Sequence, residues 1–190
     1  MNKIASDVAA GQNVICPIPG VHIIESFQAV DERGQFVKTL QSAWLESVGA
    51  RFELREEFYS VSARGVLRGM HFQIPPADHQ KLVTCIAGSV LDVLLDVRSG
   101  PTYGLAWSLE LSAAHPCTLL IPSGIAHGFL SLSQNSIMLY KTDHQHSPDH
   151  DCGIAWDSFG FDWPLEGIAP QTSDRDLHHP RLADWETPFR

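Results

Sequence analysis

Two short stretches hold most of the side chains that could move a proton. Gly65 to Val83, GVLRGMHFQIPPADHQKLV, sets Arg68, His71, Gln73 and Lys81 among β-branched and aromatic residues, and IPSGIAHGFLSL supplies His127 in a P-x-G-x-x-H turn. Tyr140 follows in a third apolar run. Imidazole titrates near neutrality, and a carboxylate on its second ring nitrogen makes it a better proton acceptor. That combination suits abstraction of a proton next to a carbonyl, with the Lys81 ammonium placed to stabilise an enolate oxygen. Inversion at carbon also needs a donor on the face opposite the base, and Tyr140, on another strand, is the candidate. A lone buried histidine is more often a hydrogen-bonded core residue than a base. The company of Arg68, Lys81 and Tyr140 is what favours chemistry here, and Arg33 adds a second guanidinium to the set.

These side chains need a pleated surface to share. The stretch around His71 reads as a strand, a turn at Pro75-Pro76 and a second strand starting near Lys81. Further strands are expected at Val21–Ser26, Gly34–Gln41 and Phe52–Ser62, and at 81–88, 89–97, 105–112, 117–122, 126–133 and 136–142, with one short helix at Ala43–Val48. Strands at such short spacing, punctuated by Gly and Pro, favour a sandwich or closed barrel. In GSVLDVLLDV, Leu91, Val93, Leu95 and Val97 share one face while Val90, Asp92, Leu94 and Asp96 share the other, which reads as a strand buried on one side only. Arg68 and His71 are three apart and would point to opposite faces of a regular strand. A bulge at Gly69 would bring them to one face.

Among 190 residues, 44% are hydrophobic, enough for one domain with a substantial core. The expected organisation is a single domain over 1–190, with an arm at 1–20 and an irregular tail at 164–190 that is ordered only if it packs on the barrel. With 13 basic and 22 acidic residues the chain lacks the clustered cations of a duplex nucleic-acid binder. A small anionic ligand held by a few arginines remains compatible. Cys16, Cys85, Cys117 and Cys152 form no C-x-x-C pair, Asp7, Gln12 and Asn13 interrupt any secretory signal, and no apolar run reaches membrane-spanning length. A cytoplasmic protein with free thiols and no membrane partner is expected.

Small barrels of this kind often hold a divalent metal. The cupin ligand set is H-x-H, a Glu and a second-motif His; here His71 is followed by Phe72 and Gln73, so two ligands are missing and no metal or other cofactor is expected. His144, His146 and His150 in HQHSPDH also invite a zinc reading, but Ser147, Pro148 and Asp149 beside them favour a solvated loop.

RGVLRGMHFQ, KLV, G-x-V-x-D-V-x-x-D-x-R-x-G-P-T-Y-G, L-x-I-P-x-G-x-A-H-G-F, LYK, G-I-x-W-D and S-D-R-D, in this order from about Asp31 to Asp176, closely resemble the dTDP-4-dehydrorhamnose 3,5-epimerase family. The resemblance implies an all-β, cupin-type jelly-roll barrel of antiparallel strands with a few short helices. It implies a metal-free, cofactor-independent homodimeric epimerase acting on a nucleotide-linked 4-keto-6-deoxy sugar. His71 would be the base, Asp176 its carboxylate partner, Tyr140 the opposite-face acid, and Lys81 the group on the 4-keto oxygen. Arg33, Arg68 and His127 match positions that hold sugar and diphosphate, with Asp151 and Arg175 at the rim; Arg33 would act across the dimer interface. Gln73, Lys38 and His146 complete the expected substrate contacts.

The chain departs from the family pattern at Lys38, at Glu56, Glu57 and Phe58, and at Gln145 and His146. These departures suggest a modified or different nucleotide donor. Two alternatives stay open: a cupin 3,4-ketoisomerase, which needs no opposed acid, and a non-catalytic sugar-nucleotide-binding cupin.

Overall fold

The computed structural model describes residues 5–6, 16–165 and 169–190. Its strands, in chain order, are β1 (Ala5–Ser6), β2 (His22–Glu25), β3 (Gln28–Asp31), β4 (Gly34–Val37), β5 (Glu56–Ser62), β6 (Leu67–Gln73) and β7 (Lys81–Ala87). There follow β8 (Ser89–Asp96), β9 (Ala106–Ser112), β10 (Cys117–Ile121), β11 (Ile125–Ser131), β12 (Ser136–Thr142) and β13 (Asp151–Gly153). Two short α-helices, α1 (Ser42–Ser47) and α2 (Asp174–Leu177), and single 3-10 turns at Pro148–His150 and Leu182–Asp184 complete the regular elements among the described residues.

One sheet has six strands in the order β1-β9-β8-β11-β6-β13, and a second has five in the order β2-β10-β7-β12-β5. All pairings inside them are antiparallel except β1 with β9. The sheets are layered face to face as a jelly-roll barrel of the cupin type, and alternation decides what each strand puts between them. Val83 and Cys85 of β7, Leu119 of β10 and Met138 of β12 meet Val90, Leu94, Leu109 and Phe129 of the opposite sheet in one buried cluster. A fully buried side chain of this size contributes about 1.5–3 kcal/mol.

Both sheets are also covered over part of their outer faces, although Tyr59, Val61 and Ile86 on the five-stranded sheet stay exposed. Leu67, Met70, Phe72, Val93, Leu95, Ala126 and Leu130 pack under Ile154, Trp163 and Phe189 from the last part of the chain. Ile24, Leu82 and Leu120 pack against Leu45 of α1. The expectation of a β8 strand buried on one side only is therefore wrong. Val90, Asp92, Leu94 and Asp96 face the interior, while Val93, Leu95 and Val97 are sealed by the C-terminal segment. Strand alternation reveals two faces but not what a distant segment lays over them.

That segment is held by main-chain bonds. Leu67 N–H donates to the Gln171 carbonyl, Gln171 N–H to the Gly65 carbonyl, and Ala155 N–H to the Pro180 carbonyl. No helix among the described residues is long and apolar enough to cross a membrane. All four cysteines are free thiols.

Strand ends differ modestly from the expected bounds. Residues 28–31 and 34–37 form the β3–β4 hairpin, so much of the expected AVDERG turn is strand and only Glu32 and Arg33 turn the chain.

Candidate active site

The position of His71 depends on an irregularity in β6. Leu67, Met70 and Phe72 all lie in the outer cluster, although Leu67 and Met70 are three apart. Between the pairs His127↔His71 and Phe129↔Arg68, β11 advances two residues while β6 advances three. The extra residue is the expected bulge, and it turns Arg68 and His71 to the same interior face. Gly69 is required there: its φ is +132°, and a Cβ would sit 2.5 Å from Gly128 Cα on the neighbouring strand. The Gly69-Met70 peptide is cis.

A cavity of about 420 Å³ opens between the sheets, lined on one side by Arg68, His71, Gln73 and His127 and on the other by Lys81, Tyr140, Phe58 and Glu56. Asp151, Arg175, His144 and His146 border it as well. His71 stands on the six-stranded sheet and Tyr140 on the five-stranded one, so imidazole and phenol come from opposite walls.

His71 Nε2 lies 2.7 Å from Asp176 Oδ1, and the Gly69 N–H donates to Asp176 Oδ2 at 3.1 Å. Ser173 caps α2 by accepting the Asp176 N–H, and this turn directs the buried carboxylate under β6. Burial alone would raise the Asp176 carboxyl, but His179, His71 and the Gly69 N–H outweigh it and hold the carboxyl well below its usual range. With the carboxylate on Nε2, the tautomer that donates to Asp176 leaves Nδ1 as the free proton acceptor. Burial lowers the pKa of His71 despite the opposing pull of Asp176. The imidazole is therefore neutral at physiological pH.

Lys81 donates from Nζ to the His71 carbonyl at 3.0 Å, and burial pushes its pKa down to about 8. The Tyr140 ring stacks on Phe58 with centroids 4.8 Å apart and meets His127 edge-on at 6.1 Å. Burial pushes the Tyr140 phenol far up, which keeps it protonated as a donor. Arg68 donates to Ser62 Oγ and to the Val61 carbonyl, fixing its guanidinium on the wall.

His127 forms a second buried pair, with Nε2 2.7 Å from Asp92 Oδ2. Asp92 escaped the sequence reading of the site; the signal available was an acid at an interior position of an apolar strand. Burial raises its pKa, with His127 opposing. His179 was likewise missed. Its Nε2 is 3.7 Å from Asp176 Oδ1, and its ring meets that of His71 edge-on at 5.5 Å.

Gln73 is committed to the scaffold on both ends of its amide: Nε2 donates to the Ala77 carbonyl, and Oε1 accepts the Ser147 N–H. Asp151 pairs with Arg175 at 2.7 Å and lies 4.0 Å from His146. The HQHSPDH loop is more than a solvated one, since His144 and His146 border the cavity; His150 instead bonds Ser147 Oγ. Two expected contacts are not brought to the cavity of their own chain. Arg33, at the tip of the β3–β4 hairpin, is 89% exposed and paired with Asp31, and Lys38 sits 5.4 Å over the Phe27 ring.

A sequence model described as dTDP-4-dehydrorhamnose 3,5-epimerase matches residues 16–184. The chain is 39% identical over 171 residues to the dTDP-4-dehydrorhamnose 3,5-epimerase of Shigella flexneri, covering 88% of this chain and 93% of that one. Among solved structures it is similar to the dTDP-6-deoxy-D-glucose-3,5-epimerase RmlC of Legionella pneumophila in complex with dTDP-4-keto-L-rhamnose. The TM-score there is 0.84 at 33% identity, over 90% of this chain and 92% of that one. It is also similar to ChmJ, a 3'-monoepimerase from Streptomyces bikiniensis in complex with dTDP-quinovose, with TM-score 0.83 at 28% identity over 88% and 86% of the two chains.

Proposed function

The chain belongs to the dTDP-4-dehydrorhamnose 3,5-epimerase family, and from that premise we propose that it is an isomerase inverting C3 and C5 of a nucleotide-linked 4-keto-6-deoxy sugar in deoxysugar biosynthesis. The observation that carries the mechanism is the facing of His71 and Tyr140 across one cavity, with Asp176 behind His71 and Lys81 beside it.

His71 Nδ1 takes the proton next to the 4-keto group, and the electron pair moves onto the ketone oxygen. The Lys81 ammonium stabilises the enolate, and such preorganised charge acts most strongly where charge develops. Tyr140 delivers a proton to the other face of the carbon, which inverts it. Asp176 stabilises the imidazolium formed in the first step. Arg68, His127, Arg175, Asp151 and His146 hold the sugar and diphosphate around the reacting centre, with Gln73 supporting the wall. The chemistry asks nothing of a metal or an organic cofactor. A ketoisomerase would return its proton on the same face and leave Tyr140 without a task; a binding module would leave both groups without one.

The reading extends to a homodimer in the cytoplasm, built as one cupin domain over 1–190. The β3–β4 hairpin stands off the barrel with Val30 and Phe36 exposed beside Arg33, as suits a segment that carries Arg33 and Lys38 to a partner's cavity.

Glu56 and Phe58 line the cavity where the family pattern has other residues, and this favours a second reading in which the donor is another nucleoside diphosphate sugar. One experiment addresses both. Incubation with thymidine, cytidine and guanosine diphosphate 4-keto sugars in deuterated water should place deuterium at C3 and C5 of the thymidine substrate. Faster exchange on another nucleotide would establish the second reading, and no exchange on any would refute the epimerase.

A further inference from the structure

His179 is a titratable group beside the reacting pair that the mechanism above does not use. It lies two residues beyond α2, and its side chain is only 10% exposed. Nε2 is buried without a hydrogen-bond partner, although Asp176 Oδ1 is 3.7 Å away. That is about half an ångström beyond hydrogen-bond range. His179 is not among the described residues lining the cavity, so it has no route to the substrate except through Asp176.

The backbone makes room for this ring. Gly153 pairs in register with His71, and a Cβ on Gly153 would lie 2.4 Å from His179 Nε2. The imidazole thus occupies the space that a side chain at Gly153 would fill. An unpaired ring nitrogen in such a site is costly, since a buried polar group without a partner forfeits its hydration with nothing in return.

His71, Asp176 and His179 also bring three metal-ligating atoms within 4.8 Å of one another. The 2.7 Å between His71 Nε2 and Asp176 Oδ1 decides against coordination. Two ligands of a tetrahedral ion with bonds of about 2.0 Å stand roughly 3.3 Å apart. The spacing is that of a hydrogen bond.

We propose that His179 is a positioning residue whose Nε2–H donates to Asp176 Oδ1 in the working enzyme, holding the carboxylate against His71 so that His71 Nδ1 stays aimed at the substrate. The inference rests on His71 being the base. Two donors then share one carboxylate oxygen. This sharing draws negative charge away from His71 and moderates its proton affinity. The low carboxyl pKa of Asp176, which His179 and His71 together outweigh burial to produce, agrees with that arrangement. Other charged or titratable groups around His71 are Arg68 on β6, Arg175 on α2, Lys81 on β7, His127 on β11, Tyr140 on β12 and Asp151 on β13.

Kinetics of His179→Ala and His179→Gln test the proposal. In the alanine variant kcat should fall roughly ten- to a hundredfold with KM within about twofold, as for a reacting group left poorly aimed. The acid limb of its kcat/KM profile should move to higher pH, because Asp176 then serves His71 alone. Glutamine, whose amide can reach the same oxygen, should restore kcat to within about threefold of the original. A folded alanine variant with unchanged kcat and acid limb would overturn the proposal, as would a rise in KM alone or a glutamine variant no better than alanine. Deuterium exchange by the unmodified enzyme, and its loss in His71→Asn, test the role of His71 separately, so an active enzyme with an indifferent His179→Ala variant removes only this inference. If the alanine variant does not fold, nitrogen-15 histidine spectra of the unmodified protein decide. Protonation of His179 at Nε2 is expected, and a neutral ring with a bare Nε2 would refute it.

Discussion

In the proposed mechanism His71 and Tyr140 have similar surroundings but opposite tasks, and burial suits each to its own. Neutral imidazole is favoured when the charged form is desolvated, so His71 remains a base at pH values where a free histidine is half protonated. The same desolvation keeps the Tyr140 phenol protonated. Lys81 is the exposed point of the scheme in pH terms, since its ammonium must survive to stabilise the enolate and its pKa is pushed down to about 8. The kcat/KM profile should therefore be a bell, with an acid limb below the ordinary histidine pKa of about 6.5 and an alkaline limb near 8, while Tyr140 titrates beyond the range. An alkaline limb that persists unshifted in Lys81→Met would contradict this assignment. Tyr140→Phe should lower turnover about 10²- to 10⁴-fold, the usual worth of a positioned acid, or arrest the reaction after one inversion. A rate within twofold of the parent would point instead to same-face chemistry.

Stability follows His71 and its carboxylate partner. Both His71 and Asp176 have folded-state pKa values below their unfolded ones, so the unfolded chain binds more protons as pH falls. Stability should therefore decline below about pH 6.5 through His71 and decline again below about pH 4, where the Asp176 contribution is lost. Melting temperatures measured from pH 7 to pH 3 would show both stages, and Asp176→Asn should remove the second. A flat profile down to pH 4 would count against burial of a neutral His71.

β6 is the element on which the site turns. A regular strand would put Arg68 outside and His71 inside; the extra residue at Gly69 and Met70 restores them to one face, and the contact of Gly69 with Gly128 leaves no room for a side chain on either strand. Gly69→Ala combines a positive φ, costing about 1–2 kcal/mol for an L-residue, with overpacking worth about 1–3 kcal/mol. Urea unfolding should show a midpoint lowered by an amount corresponding to this loss with little change in slope. A variant of unchanged midpoint would mean that β6 can re-register without its bulge. Gly69 also lends its N–H to Asp176, so the same substitution should lower kcat even where the protein remains folded.

At the scale of the molecule, 13 basic residues must serve a net charge of −9, and the fold concentrates Arg68, Lys81 and Arg175 around one cavity. Local positive potential of this kind can gather an anionic substrate against the overall charge. Arg33 points elsewhere in its own chain, on a hairpin whose apolar side chains lie open. If that hairpin completes a partner's cavity, light scattering should give a dimer. Mixing inactive Arg33→Ala and His71→Asn proteins should then restore about a quarter of full activity, because half the dimers formed are mixed and each holds one intact site. No recovery on mixing would mean that Arg33 acts within its own chain or not at all.

Alternation is a local property, so the β content, the strand positions and the candidates His71, Lys81, His127 and Tyr140 were legible in the sequence, as was the need for a bulge at Gly69. The one-sided β8 strand was misread because its outer cover comes from Trp163 and Phe189, far along the chain, and no period in β8 reports them. Asp176 could be tied to His71 only by resemblance, since 105 positions separate them; Asp92 and His179 had no such guide. Carboxylate and imidazole carry no mark of their partners in residue type or spacing. What pairs them is the closing of two sheets and a C-terminal segment into one packed body, and that long-range contact, paid for by apolar burial elsewhere, is where the chain acquires its chemistry.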